Sequence, residues 1–281
     1  ERSHTDVLII GAGLSGIIRT KNLRAVHSCN LNDWSEMLLS YYILRDVLLT
    51  TTPNTSEKAE LKEVITGHLN QRIEKREYPN VFVASFSYTP DELLLWRSYS
   101  KPDDAYSIAF DTIFLRSYAI DIGAEALDCI YDYGRQRSIL SGIIDFYFSQ
   151  DFPGLPSESP TAVSDFFTLT DVFIPALKNQ VFAEEREARL VIRPDSIIHP
   201  KPTVHHEIRG SHPFSYIEIP IHRSEDSNAA WEHAIRQVMV GPNSRKLNDR
   251  EAFLVKLEQL VEHNMGPGIP VLETQYVTLV F

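Results

Sequence analysis

The chain has 281 residues, 43% of them hydrophobic and 10% aromatic, which is enough apolar material for a sizeable core and leaves no stretch of disordered composition. Its 38 acidic residues outnumber the 27 basic ones for a formal charge of −11, which argues against a bulk electrostatic grip on nucleic acid. The 2 cysteines have no CxxC partner, so neither a disulfide framework nor a cysteine zinc site is indicated, and no apolar run reaches the length of a membrane span.

The short apolar run at residues 7–10 lacks the pattern of a secretory signal, and the simplest expectation is a soluble, cytoplasmic protein folded as a single domain over residues 1–281. Asp6-Val7-Leu8-Ile9-Ile10 reads as a strand entering Gly11-Ala12-Gly13-Leu14-Ser15-Gly16, a GxGxxG run that resembles the opening of flavin-dependent monooxygenases. Such glycines permit a tight turn and close approach to pyrophosphate, so an FAD- or NAD-dependent oxidoreductase is one reading. The context is unfavourable to it. The helix that follows, at residues 17–21, is short and breaks at Asn22. The acidic residue wanted about 20 positions on would be Asp33, which instead caps a helix start with Glu36 three residues later. With 12 glycines the chain also falls below the usual roughly 7%.

From Trp34 the positions Met37, Leu38, Tyr41, Leu44 and Leu48 recur at helical spacing, until Pro53 bars continuation. Leu61, Val64, Ile65, Leu69 and Ile73 stripe a second, amphipathic helix. After the turn Tyr78-Pro79-Asn80, residues 81–86 read as a buried strand, and Ser85 and Ser87 share a face at its end. Thr89-Pro90-Asp91-Glu92 then spells the start of a helix carrying Trp96 and Tyr99. A serine-bearing strand end feeding a helix N-terminus can hold a polar or anionic ligand; the ordinary alternative is a strand–turn–helix with capping hydroxyls. Residues 106–110 form a further strand, whereas 112–134 show no assignable period. Residues 136–148 and 161–179 read as helices on either side of a proline-rich loop, with Pro175 interrupting the second.

Between Lys178 and Ile192 the chain reads KNQVFAEEREARLVI, and Glu185, Glu187, Arg189 and Val191 alternate as if on one face of a strand. Such a group is either a structural ion-pair ladder or a catalytic carboxylate held by an arginine, able to stabilise a cationic transition state. His199, His205, His206 and His212 gather around a strand pair at 204–210 and 214–221. Adjacent His205 and His206 point to opposite faces, so no joint metal site is expected. A strand at 238–240, the turn Gly241-Pro242, a helix over 249–263 and a strand over 271–281 close the chain. The irregular grouping of strands and helices predicts an α+β fold, a mixed and largely antiparallel sheet with surrounding helices.

Four motifs in order resemble the bacterial domain-of-unknown-function family 2971 over nearly the whole chain. They are Asn32-Asp33-x-x-Glu36; Ser85-Phe86-Ser87 followed by Leu93-x-x-Trp96-x-x-Tyr99; Glu185-x-Glu187-x-Arg189-Leu190 with Lys178 upstream; and Gly241-Pro242. Departures are Ser3-His4-Thr5 for the family's opening His-Tyr-Thr, Phe182 for a tryptophan, and Ala105 for a glycine. The layout is similar to the ADP-ribosyltransferase type of fold. The resemblance therefore implies NAD as substrate, a macromolecular acceptor of unspecified kind, and a defence or toxin role. It places His4, Ser85, Ser87, Trp96, Tyr99 and Arg189 on the dinucleotide and Glu185 or Glu187 at the ribose, where cleavage of the nicotinamide bond builds positive charge that a carboxylate stabilises. Asn32, Asp33, Glu36 and Lys178 belong to the pattern without an assigned role. A non-catalytic binding module for a dinucleotide or other small molecule is the third reading.

Overall fold

The computed structural model describes residues 7–10, 14–31, 35–89, 91–99, 106–149, 160–194, 203–220, 234–242 and 250–274. His4, Gly11, Gly13, Asn32, Asp33 and His199 lie outside the described residues. The first half of the chain contains β1 (Val7–Ile10), α1 (Leu14–Thr20), β2 (Asn22–His27), α2 (Ser35–Thr50), α3 (Ser56–Lys75), β3 (Phe82–Ser87), α4 (Leu93–Tyr99), β4 (Tyr106–Phe110), α5 (Thr112–Asp121) and β5 (Glu125–Asp128). The second half adds α6 (Tyr133–Ser149), α7 (Pro160–Phe173), β6 (Glu187–Ile192), β7 (Val204–Arg209), β8 (His212–Pro220), β9 (Ile235–Val240), α8 (Arg250–Met265) and β10 (Val271–Glu273).

The fold is α+β. The described strands join one sheet in the order β10-β9-β4-β1-β3-β2-β8-β7, with β6 on the other edge of β3 and β5 beyond β6. The pairings are antiparallel except that of β9 with β10. β3 is the hub because it is apolar on both sides. Phe82, Ala84 and Phe86 join a core with Leu190 and Ile192 of β6, while Val83 packs with Val191 on the opposite face. One edge of β3 is matched residue for residue by β6, from Phe82↔Ile192 to Ser87↔Glu187. The other edge is divided: β1 meets it at Ser87, and β2 at Phe82 and Val83, so it forks over the residues between.

β1 runs antiparallel to both β4 and β3, and β2, which follows α1, pairs with β3 and β8. β1 and β2 do not pair with one another, so among the described residues the parallel βαβ unit that a dinucleotide fingerprint requires is not formed.

Among the described residues the two larger of three apolar clusters follow from the two kinds of amphipathic face. The first covers one side of the sheet with Ile18 of α1, Leu115 and Tyr118 of α5, and Leu257 and Val261 of α8. The second is helical: Tyr41 and Leu44 of α2, Ile65 and Leu69 of α3, Leu140 and Ile144 of α6, and Phe166 of α7. α3 shows how local sequence sets an element's ends. Thr55 accepts from the Lys58 amide at 3.2 Å, and Arg76 turns left-handed at φ 53° to close the C-terminus.

Three expectations need correction. Thr89 does not cap a helix; its hydroxyl lies 2.7 Å from that of Ser87, Asp91 takes a left-handed φ of 57°, and α4 starts only at Leu93. The helix expected over 161–179 is interrupted at Pro175 as anticipated but does not resume: α7 ends at Phe173, a 3₁₀ turn, Ile174–Ala176, forms around Pro175, which has no N–H to donate, and residues 177–179 are not helical. Glu185 is not on the late strand: it ends a 3₁₀ segment, Gln180–Glu185, and Arg186 reverses the chain at φ 42° before β6 begins.

Candidate functional site

Five charged side chains from two distant parts of the chain, Glu36 and the stretch 178–189, meet on the Val83–Val191 side of the sheet. β6 contributes Glu187 and Arg189, the first turn of α2 contributes Glu36, and the segment between α7 and β6 contributes Lys178 and Glu185. Lys178 Nζ donates to Glu185 Oε2 at 2.5 Å and to Glu187 Oε2 at 2.5 Å, and lies 3.2 Å from Glu36 Oε1. Arg189 Nη2 donates to Glu36 Oε2 at 2.7 Å and to Glu187 Oε2 at 2.9 Å; its Nε donates to Glu187 Oε1 at 2.6 Å and its Nη1 to the Pro175 carbonyl at 2.6 Å. The fork of the guanidinium thus joins sheet, helix and 3₁₀ turn, and grips both oxygens of Glu187 in two-point pairing.

The surrounding backbone is equally tied. The Lys178 amide donates to the Ile130 carbonyl at 3.1 Å, and buried Gln136 of α6 donates to the carbonyls of Ile130 at 2.5 Å and Lys178 at 2.8 Å. Tyr131 accepts from the Glu187 amide at 2.7 Å, and the Cys129 amide donates to the Glu187 carbonyl at 2.9 Å. The Lys178 ammonium also sits 5.1 Å over the ring of Phe182. Tyr131, Gln136 and Cys129 carried no signal in sequence, because they lie at or beside the stretch without a clear period.

Lys178 is 3% exposed and Glu187 7%. Burial opposes the charge on Glu187, but Arg189 and then Lys178 outweigh it and hold the carboxyl at about 2. Burial likewise opposes the charge on Lys178 and Arg189, and Glu187 with Glu36 reverses it, so both pKa values are raised. Burial pushes the neighbouring Cys129 thiol up to about 12, which leaves it inert.

The depressed Glu187 carboxyl fixes a pH dependence. Its contribution to stability is complete above its ordinary value of 4.5 and is lost as pH falls through about 2. The size is on the order of 3 kcal/mol. Urea unfolding at pH 7, 4.5 and 2.5 is expected to show this loss in the wild type and to lack it in Glu187→Gln. Parallel pH profiles in the two proteins would refute it.

The other expected site residues divide. Ser85 stands opposite Arg189 in the β3–β6 register and is exposed; among the described residues its hydroxyl has no hydrogen-bond partner. Ser87 stands opposite Glu187, but its hydroxyl is spent: it donates to the Glu185 carbonyl at 2.7 Å and accepts from the Thr89 amide at 3.0 Å. It therefore positions Glu185 and is not available to hold a ligand. Trp96, expected as a stacking face, is fully buried, with its indole N–H donating to Asp91 at 2.8 Å. For Tyr99 only the backbone, within α4, is described. His205 stacks on Tyr216 at 5.1 Å and His206 contacts Ser215 at 2.9 Å. Among the described residues no group of three or more His, Cys, Asp or Glu is placed to hold a metal ion, and no helix is long and apolar enough to cross a membrane.

Compared with protein-family models, with curated proteins and with solved structures, the chain matches none.

Proposed function

We propose that the chain is an NAD-using enzyme of the ADP-ribosyltransferase-like or NAD-glycohydrolase-like kind, of bacterial defence or toxin type and akin to the domain-of-unknown-function family 2971. The observation that carries this reading is the fork in the edge of β3, where exposed Ser85 stands beside the strand of Glu187 and Arg189. A forked edge with an exposed hydroxyl is a place where a ribose or carboxamide can meet a sheet.

The geometry separates the two carboxylates. Glu187 is held by three donated bonds and cannot turn to a substrate without breaking its pairing with both Arg189 and Lys178. Glu185, 13% exposed, sits just before a reversing residue and shares Lys178. We assign Glu185 to the ribose, where it would stabilise positive charge on the sugar. Glu36, Lys178, Glu187 and Arg189 position it. The near-complete burial of this cluster favours a second reading, a non-catalytic module in which the five charges are purely structural.

Labelled NAD incubated with the wild type, with both a protein and an RNA acceptor present, is expected to release nicotinamide. Glu185→Gln should lower the rate by at least about 100-fold at an unchanged melting temperature. Glu187→Gln should lower both rate and melting temperature. NAD left intact by the wild type would sink the enzymatic reading in favour of the structural one.

A further inference from the structure

β2 ends at His27, and a 3₁₀ turn, Ser28–Asn30, carries the chain away from the sheet. Both sides of that turn are pinned. The Ser28 hydroxyl donates to the Pro79 carbonyl at 2.5 Å and its amide to the Val81 carbonyl at 2.9 Å, which fixes the turn against the segment bearing Asn80. Asn30 donates to the Pro213 carbonyl at 2.8 Å and accepts from the Ser215 amide at 2.9 Å. The His27 ring stands edge-on to Phe82 at 5.2 Å.

Within this frame three side chains line up. Cys29 Sγ lies 2.9 Å from His27 Nδ1, and His27 Nε2 lies 3.4 Å from Asn80 Oδ1. The tautomer follows from a third contact. The Cys29 amide, which can only donate, points at Nδ1 from 3.3 Å, so Nδ1 carries the lone pair and Nε2 the proton. Nε2–H then faces the Asn80 carbonyl oxygen, and the thiol proton faces a basic nitrogen. Cys29 is exposed, so the sulfur is reachable from solvent. Nucleophile, base and orienting amide in this order are the arrangement that activates a thiol for acyl transfer.

We propose that Cys29, His27 and Asn80 form a second, thiol-based site that takes activated acyl groups, esters or thioesters, onto the Cys29 sulfur. It is separate from the charged cluster: His27 stands opposite Phe82, on the face of β3 shared by Ala84 and Phe86, the reverse of the face of Ser85 and Arg189. As the sulfur–carbon bond forms, Nδ1 takes the thiol proton. The adduct expels alkoxide or thiolate, which leaves with that proton. Water then attacks the thioester, gives its proton through Nδ1 to the sulfur, and releases the carboxylic acid and free Cys29. Burial pushes the Cys29 thiol up against its own backbone hydrogen bond, and pushes the His27 imidazole down against the Asn80 contact. The resting pair is thus uncharged, and His27 acts as general base while the bond forms.

The test is p-nitrophenyl acetate on the full chain at neutral pH, read as a nitrophenolate burst and as acetyl groups mapped by peptide mass spectrometry. Cys29 should acetylate at least about 100-fold faster than N-acetylcysteine amide at the same pH, while buried Cys129 stays unmodified. His27→Gln should bring Cys29 down to the reference rate, and Asn80→Ala should slow it about tenfold by releasing the ring. A wild-type rate no faster than the reference overturns the proposal, and so does His27→Gln reacting as fast as wild type. Should His27→Gln not fold, the wild-type comparison with the reference thiol decides alone.

Discussion

Arg189→Met should lower folding stability by about 3–5 kcal/mol, because it strips the partner from carboxylates that have no water to turn to. In the native cluster, three carboxylates, Glu36, Glu185 and Glu187, face two cations, Lys178 and Arg189. Removing the guanidinium leaves three negative charges on one ammonium, and the Pro175 carbonyl loses its donor as well. A second change, Glu187→Gln, brings the charge balance back toward the native one. The double variant is therefore expected to be more stable than Arg189→Met alone, although it has lost one more native group. Arg189→Lys should not rescue, since one ammonium cannot reach Glu36, both oxygens of Glu187 and Pro175 together. Urea unfolding of the wild type and the three variants at pH 7 measures this. A loss under about 1 kcal/mol for Arg189→Met would mean that the cluster is solvated and its charges independent.

The second large effect is expected at Trp96. Trp96→Ala removes a fully buried indole and should cost about 3–5 kcal/mol. Trp96→Phe keeps most of the volume but deletes the N–H that donates to Asp91, a residue in a left-handed conformation that also accepts from Thr274. Its cost should be smaller, about 1–3 kcal/mol, because a half-buried acceptor loses one of its donors. The pair of variants separates packing from recognition. A core residue changes the melting temperature first, and ligand affinity only through it. A stacking residue would weaken binding of NAD in Trp96→Phe with the melting temperature unmoved, and that outcome would contradict the buried placement.

Much of the secondary structure was legible because it rests on local chemistry. The stripe Leu61, Ile65, Leu69 and Ile73 specifies a helix wherever it lies, and Ser56–Lys75 is helical. The apolar run before Ser87 specifies a strand buried on both sides, and β3 is one. Pro175 breaks a helix by lacking a donor, and α7 stops two residues before it. The α+β class follows from the same patterns, since the strands were not regularly interleaved with helices.

Partnership was a different matter. Thr89 has the residue type of a helix cap, yet its hydroxyl is drawn to Ser87, which is already engaged with the Glu185 carbonyl. The alternation of Glu185, Glu187 and Arg189 suggested one strand face, but the left-handed turn at Arg186 takes Glu185 off the strand and returns its carboxylate to Lys178. A GxGxxG after a strand has a definite meaning only in a parallel sheet, and the direction of β1 was set by β4 and β3, far along the chain. His27 and Asn80 carry no motif, and 53 residues separate them.

What residues 1–281 settled alone is which segments coil, extend or break, since those preferences are carried by side-chain spacing within a few residues. Whether a polar side chain there is a ligand group or a structural one was decided by the sheet. Glu36 and Arg189 stand 153 residues apart and become a bonded pair only because β6 lies against β3 beneath the start of α2. Once buried there, a charge is held by its neighbours and not by water, so its role follows from which partners the fold supplies.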